Sequence, residues 1–269
     1  MNLDLVRAAR ERRIILFVGA GVSQTLGLPS FRQLIRHLAE QLDFDPDIFQ
    51  THGDYLALAE YYMVEKSHIG SLRSWLDKEW HADRNIGDSD IHRFIVELNF
   101  PIIYTTNYDS WLELAFKYHK KDYVKVVNVG DLAQTNDRTT QIIKFHGDFE
   151  DDSSIILSET SYFERLNFES PLDIKLRSDL LGRSILFIGY SLQDINIRLM
   201  LFRLMRQWTG FEKHRPKSFI FLTRPNPVQE TILRSRGIEP VVSDFDDPKK
   251  GLAHFLEELL RESQGRGAP

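Results

Sequence analysis

The residues best suited to chemistry begin with a glycine loop near the amino terminus. A short apolar run leads into Gly19, Ala20 and Gly21, and a helical pattern begins shortly afterwards. Two glycines separated by one small residue let the backbone approach a ligand closely, and bare N–H groups in such a loop suit a phosphate. Because Gln24 stands where the dinucleotide-binding fingerprint has its third glycine, the loop alone indicates either a phosphate site or an ordinary strand-to-helix turn.

Three further polar clusters each follow a predicted strand. They are Thr105-Thr106-Asn107-Tyr108-Asp109, His146-Gly147-Asp148 and Gly189-Tyr190-Ser191. An imidazole can take up a proton near neutral pH, and amides and carboxylates can orient a substrate. Taken singly, each residue also has a structural explanation: Asn107 and Asp109 as helix caps, His146 as a core histidine. Their shared position after strands favours a joint site.

The elements that position these clusters alternate between strand and helix. Apolar runs predict strands at 14–18, 102–105, 123–127, 141–145, 184–188, 218–222 and 238–242. Amphipathic segments that predict helices lie between them. This order is typical of an α/β protein with a doubly wound, mostly parallel, Rossmann-like sheet, in which ligands bind beyond the carboxyl ends of the strands.

Residues 30–98 contain helical patterns only, so we expect an α-helical insertion after the first strand, at one edge of the sheet and able to act as a lid. The insertion carries several aromatic residues that we expect in the core: Tyr61, Tyr62, Trp75 and Trp80. The whole of 1–262 is predicted to be one domain, and 263–269 a flexible tail.

Composition narrows the function classes. The 269 residues carry a net charge of −5, which gives no global attraction to nucleic acid or to anionic lipid. The chain has no cysteine, which excludes disulfides, thiolate nucleophiles and cysteine-based zinc sites, and we expect no metal. No apolar stretch has the length of a signal peptide core or a membrane span, so we expect a cytoplasmic protein without membrane contact.

Five sequence segments in order, GAGVS, GLPSFR, TTNYD, KFHGD and IGYSLQD, resemble the motifs of the sirtuin (SIR2) family. They span Gly19 to Asp194 and are most similar to the bacterial SIR2-like branch that acts in antiphage defence. The resemblance implies NAD as the substrate and a Rossmann-like fold around it.

The resemblance also implies roles for individual residues. Asn107 and His146 would be catalytic, with His146 as the general base. The predicted NAD contacts are Gly19, Ala20 and Gly21 at the pyrophosphate, Ser23, Phe31 and Arg32 on the nicotinamide-ribose side, Asp109 at the nicotinamide and its ribose, Gly189 and Ser191 at the phosphate and adenosine half, and Asp194.

The departures from the sirtuin motifs also carry information. There is no cysteine zinc ribbon, and Ser30, Thr106 and Tyr190 replace an acid, a glutamine and a threonine of the family. The resemblance therefore implies an NAD+ glycohydrolase, in which water attacks and the products are nicotinamide and ADP-ribose. A protein deacylase and a non-catalytic sensor of NAD or ADP-ribose are the alternatives.

Partners follow from the resemblance alone. Defence proteins of this branch occur as homo-oligomers, or with a second subunit such as a HerA-type DNA-translocating ATPase or a short Argonaute. We therefore expect a homo-oligomer or a complex of one of these kinds, with recognition supplied by the partner.

Overall fold

A computed structural model describes residues 1–81, 84–191 and 194–265. Its centre is a seven-stranded sheet with the order β3-β4-β2-β1-β5-β6-β7, in which each pair of neighbours is parallel. The strands are β1 (Ile14–Val18), β2 (Ile102–Thr105), β3 (Tyr123–Val126), β4 (Thr140–Lys144), β5 (Ser184–Ile188), β6 (Ser218–Leu222) and β7 (Ile238–Val242). The predicted doubly wound sheet is confirmed, and it is parallel throughout this part of the chain.

Helices cover the sheet and connect its strands. They are α1 (Leu3–Arg10), α2 (Ala20–Gln24), α3 (Phe31–Gln41), α4 (Pro46–Phe49), α5 (Tyr55–Lys66), α6 (Gly70–His81), α7 (Asp90–Glu97), α8 (Trp111–Tyr118), α9 (Val129–Leu132), α10 (Glu159–Glu164), α11 (Pro171–Gly182), α12 (Ile195–Gln207), α13 (Pro227–Ser235) and α14 (Pro248–Ser263). Short 3-10 turns lie at Ile86–Asp88, Asp152–Ser154, Arg165–Asn167 and Glu212–His214. No helix of the described ranges is both long and apolar enough to cross a bilayer.

The sheet is buried on both faces, which explains why its central strands are continuous apolar runs. Along β1, Leu16 and Val18 belong to one hydrophobic cluster, whereas Ile15 and Phe17 belong to the other. From β1 the chain first builds one half of the sheet and then returns to β5 on the other side of β1. The switch point of the topology therefore lies between β1 and β5, and ligands of such folds bind there.

The insertion is helical as predicted, since α3 to α7 and one 3-10 turn occupy it and the described residues between 30 and 98 include no strand. Its position at a sheet edge is wrong. Buried insertion residues such as Leu38 and Tyr62 lie in the same cluster as Leu16 and Ile103 of the central strands. The reason is that β1 and β2, which flank the insertion, are neighbours in the middle of the sheet. The insertion therefore packs on one face, and its action as a lid stays a prediction.

The predicted core aromatics divide into different environments. Tyr62 is fully buried, but Tyr61 is 41% exposed, so its assignment to the core is wrong. Trp75 is half-buried and stacks on His37 with ring centroids 4.2 Å apart. The side chain of Trp80 lies outside the part that the structure describes.

At the carboxyl terminus, helix α14 continues to Ser263, one residue into the predicted tail. Residues 266–269 of that tail lie outside the described ranges.

Candidate active site

Four central strands end in one row. Ile188, Val18, Thr105 and Lys144 are register partners across β5, β1, β2 and β4. Neighbouring strands are about 4.8 Å apart, so the residues that follow this row lie along one edge of the sheet. The four polar clusters singled out from the sequence begin at these strand ends or within two residues of them. The topology therefore brings them to the same edge.

Asn107 is held by a short relay of hydrogen bonds. Its amide Nδ2 donates to Oγ of Ser23 (2.9 Å) and to the carbonyl of Gly19 (3.2 Å). The Ser23 hydroxyl donates in turn to Oδ2 of buried Asp109 (2.7 Å). This relay directs the NH2 group into the protein, and among the described residues none donates to Oδ1 of Asn107. The amide oxygen is the group left available to a substrate or a water.

Asp109 has a second function in the fold. Its Oδ1 accepts from the backbone N–H of Trp111 (3.2 Å) at the start of α8. Asp109 therefore also acts as the helix cap that the sequence allowed. Both carboxylate oxygens are thus occupied within the protein.

Lys144 anchors the loop that carries Asn107, a role that sequence reasoning missed. Its fully buried ammonium donates to the carbonyl of Asp109 and lies 3.4 Å from Glu113 and 3.9 Å from Asp148. A signal was present, because a lysine at the end of an otherwise apolar strand is rarely buried unless it is paired. The buried charge therefore joins the ends of β2 and β4.

His146 is buried between an acid and a phenol. Its Nε2 lies 3.1 Å from Oδ2 of Asp194, although the ring N–H is not directed along the line between the two atoms. Its Nδ1 lies 3.4 Å from the hydroxyl of Tyr162, whose ring meets the imidazole edge to face. Tyr162 lies in α10, outside the five sirtuin-like segments, and no sequence pattern singles it out.

Asp194 fixes one side of this arrangement. Its carboxylate caps α12 by accepting from the amides of Asn196 (2.9 Å) and Ile197 (3.2 Å). Burial alone would raise the pKa of Asp194. The His146 ring and the two amides stabilise the carboxylate more than burial disfavours it, so the pKa of Asp194 is lower than that of a free aspartate. The acid is therefore ionised at neutral pH, next to the imidazole.

Several buried polar atoms at this edge have no hydrogen bond of good geometry. Nε2 of His146 and Oδ2 of Asp194 lie 3.1 Å from each other, the hydroxyl of Tyr190 interacts with the Asp194 carboxylate, and Oδ1 of Asn196 has no partner among the described residues. Burial, followed by the charge of Asp194, raises the pKa of Tyr190 and Tyr162, so both phenols keep their protons. Unpaired polar atoms in such a place are costly in the free protein.

Gly19 and Gly21 allow their loop to pack closely against the loop of Gly189. The N–H of Gly21 donates to the carbonyl of Gly189 (2.8 Å), and that of Gly19 donates to Ile188 (3.0 Å). A Cβ on Gly19 would lie 2.4 Å from the Gly189 carbonyl oxygen, and Gly189 has a left-handed φ of +58°. These two N–H groups are therefore engaged within the protein rather than bare, because the chain meets itself at the switch point.

Three of the predicted NAD contacts, Phe31, Arg32 and Ser191, do not touch the groups around Asn107 and His146 in the described part of the chain. Arg32 is exposed and donates through Nε to Gln50 (3.1 Å), and Phe31 meets Tyr55 with ring centroids 5.9 Å apart. Ser191 is exposed and lines a cavity of about 290 Å³ between α12 and α13. No described contact joins these three residues to Asn107 or His146. Residues 192–193 of the IGYSLQD segment lie outside the described ranges.

No set of three or more acidic or histidine side chains is arranged to hold a metal ion in the described parts of the chain. The predicted site residues that contact one another form two groups, Ser23, Asn107 and Asp109 in one and His146 and Asp194 in the other.

Known proteins resemble this chain over most of its length. An NAD(+) hydrolase ThsA of Bacillus cereus is 28% identical over 261 residues, which are 96% of this chain and 51% of that protein. An NAD(+) hydrolase ThsA of Enterococcus faecium is 30% identical over 213 residues, 78% of this chain and 43% of that protein. Defense-associated sirtuin 2 of Bacillus subtilis is 27% identical over 237 residues, 86% and 23% of the two chains.

The chain spans about half the length, or less, of the curated relatives that it matches. A family model described as a SIR2-like domain matches residues 101–241, which is more than half of the chain and includes β2 to β6, most of β7, and the Asn107 and His146 loops. The protein therefore belongs to the SIR2-like family.

Proposed function

We propose that this protein is an NAD+ glycohydrolase that acts in antiphage defence. The observation that supports it most directly is the register of β2 and β4, which brings the loops of Asn107 and His146 to one edge of the sheet. The names of the relatives, NAD(+) hydrolase and defense-associated sirtuin, favour the same activity.

In this reaction the bond between C1′ of the ribose and the nicotinamide nitrogen breaks. Its electron pair goes to the pyridinium ring, which leaves as neutral nicotinamide, and the ribose develops oxocarbenium character. A water oxygen bonds to C1′ and gives its proton to His146. The amide oxygen of Asn107 orients the water or a ribose hydroxyl without titrating.

Asp194 supports the base. Its ionised carboxylate stabilises the imidazolium that forms when His146 takes the proton, and the start of α12 keeps it in place. The other predicted NAD contacts remain part of the proposal: the glycine loop with Gly189, Ser23 and Asp109, and the more distant Phe31, Arg32 and Ser191.

The test is NAD consumption by the purified protein, alone and together with the product of the neighbouring gene. Asn107→Ala and His146→Ala are expected to abolish consumption while circular dichroism stays unchanged. His52→Ala is the matched control, because His52 is an exposed histidine of the insertion. Unchanged consumption in both active-site variants would refute the residue roles.

Two other results would replace the proposed activity. Turnover that requires an acyl-lysine peptide would make the protein a deacylase, and tight NAD binding without turnover under every partner condition would make it a sensor. For assembly, we propose a homo-oligomer or a complex with a HerA-type ATPase or a short Argonaute. The mass of the complex recovered from the native operon tests this.

A further inference from the structure

A second polar cavity lies at the opposite edge of the sheet, at the amino ends of the strands. It has a volume of about 220 Å³ and is lined by residues that precede or begin β1, β2, β4 and β5, together with two side chains of α11. Because the Asn107 and His146 loops follow the carboxyl ends of the strands, this cavity is separate from the candidate active site.

Arg12 contributes an unused binding edge to this cavity. Its Nε and Nη2 are both buried, and neither has a hydrogen-bond partner. These two N–H groups form the side of the guanidinium that binds an oxyanion through two parallel hydrogen bonds. Arg12 also has a left-handed φ of +53° in the connection between α1 and β1, which is uncommon for a residue other than glycine. Unpaired buried donors are costly, so the edge fits an anionic ligand.

The charges around Arg12 favour an anion. Oδ2 of Asp179 accepts from Lys175 (2.8 Å) and from the hydroxyl of Tyr104 (2.8 Å), and the lining holds three cationic side chains, Arg12, Lys175 and Arg183, against two carboxylates. Arg183 donates through Nη1 to the backbone carbonyl of Arg12 (3.2 Å), and its side chain lines the same cavity. The other acid of the lining, Asp137, is exposed. The cavity therefore keeps a positive field.

Gln141 adds an acceptor to these donors. Its side chain is nearly completely buried, its Oε1 has no donor, and its Nε2 lies 3.5 Å from the carbonyl of Asn136. An unpaired acceptor that lines the same cavity as unpaired cationic donors suits an oxyanion that also carries an O–H group. Phosphate that keeps one proton meets this requirement, whereas sulfate is fully deprotonated at neutral pH.

We infer that this cavity binds a phosphate group, with the guanidinium edge of Arg12 on two oxygens and the amide oxygen of Gln141 on a protonated one. Its volume is below the range of about 300–1,000 Å³ that drug-sized ligands occupy, so it encloses the phosphate and little else. The ligand is either inorganic phosphate or the end of a phosphate monoester.

Calorimetric titration of the full chain with inorganic phosphate, against sulfate at equal ionic strength, tests this inference. Phosphate is expected to bind at least about tenfold more tightly than sulfate, and Arg12→Gln to weaken phosphate binding about tenfold or more. Arg13→Gln is the matched control, because Arg13 is the next residue, is exposed and donates to the carbonyl of Gly182 outside the cavity. It is expected to leave phosphate binding unchanged.

Gln141→Leu is expected to reduce the preference for phosphate over sulfate. If Arg12→Gln does not fold, phosphate and sulfate binding are compared in Arg183→Gln and Gln141→Leu instead. Both variants are expected to bind phosphate more weakly than the unchanged protein. Tighter binding of ribose 5-phosphate than of inorganic phosphate identifies a monoester, and equal or weaker binding identifies free phosphate. No phosphate-specific heat in the unchanged protein, or undiminished binding in Arg12→Gln, would overturn the inference.

Discussion

Nε2 of His146 and Oδ2 of Asp194 lie 3.1 Å apart, with only 4% and 7% of the two side chains exposed. The carboxylate is also the cap of α12, so the start of that helix determines where the acid meets the imidazole. The resemblance implies that Asp194 is an NAD contact, and the structure also brings its carboxylate against the proposed base. We therefore predict that Asp194 positions His146.

Asp194→Asn is expected to lower NAD consumption by about tenfold to a hundredfold, a part of the roughly 10²- to 10⁴-fold that a positioned base contributes. Asparagine caps a helix as well as aspartate does, so the free energy of unfolding should change little. Steady-state kinetics should show the loss in kcat rather than in KM, because the acid acts on the base.

The matched control for that substitution is Asp247→Asn. Asp247 caps α14 in the same way, by accepting from the amides of Lys249 (2.8 Å) and Lys250 (3.2 Å), but it is bonded to no histidine among the described residues. Equal activity of the Asp194 and Asp247 variants would contradict the role of Asp194.

Ser23→Ala removes the middle of the relay between Asn107 and Asp109. We expect a destabilisation of about 1–3 kcal/mol, because a buried carboxylate oxygen loses its donor, and a fall in NAD consumption of about tenfold, because the amide of Asn107 loses a partner. Urea unfolding and NAD assays measure the two effects. Thr25→Ala is the control, since that hydroxyl bonds only to the carbonyl of Val22. Unaltered activity in Ser23→Ala would refute the relay.

Lys144→Met is expected to destabilise the protein by about 3–5 kcal/mol, since it leaves the buried carboxylate of Glu113 without its cation. Glu113→Leu should also be destabilising on its own. The double variant should cost less than the sum of the two, because the pair is removed together. Urea unfolding of the unchanged protein, the two single variants and the double variant gives the coupling energy. Strictly additive losses of stability would show that Lys144 and Glu113 do not stabilise the fold as a pair.

The bounds of β1, β5 and β6 match the prediction because both faces of the sheet are buried there, so that these strands are apolar runs with a serine only at the start of β5 and of β6. The edge at which the polar clusters meet was predictable for a related reason. Each cluster directly follows such a run, and parallel strands present their carboxyl ends together.

Contacts between distant elements were not predictable. Tyr162 reaches His146 from α10, and no periodicity within α10 identifies that neighbour. Helix α4, Pro46–Phe49, has only four residues, which is too short for a helical repeat to show in the sequence. The engaged N–H groups of the glycine loop depend on Gly189, which follows a strand encoded far away in the sequence.

His92 predicts a loss of stability in mild acid. Burial lowers the pKa of His92 to about 4, whereas an exposed histidine of the unfolded chain titrates near 6.5. As the pH falls from 7 to 5, the unfolded chain takes up the proton and the folded protein does not, so the free energy of unfolding should fall by about 2 kcal/mol. Urea unfolding at several pH values measures this. His92→Gln should remove that part of the pH dependence, whereas exposed His52→Gln should keep it. An unchanged slope in His92→Gln would show that another group is responsible.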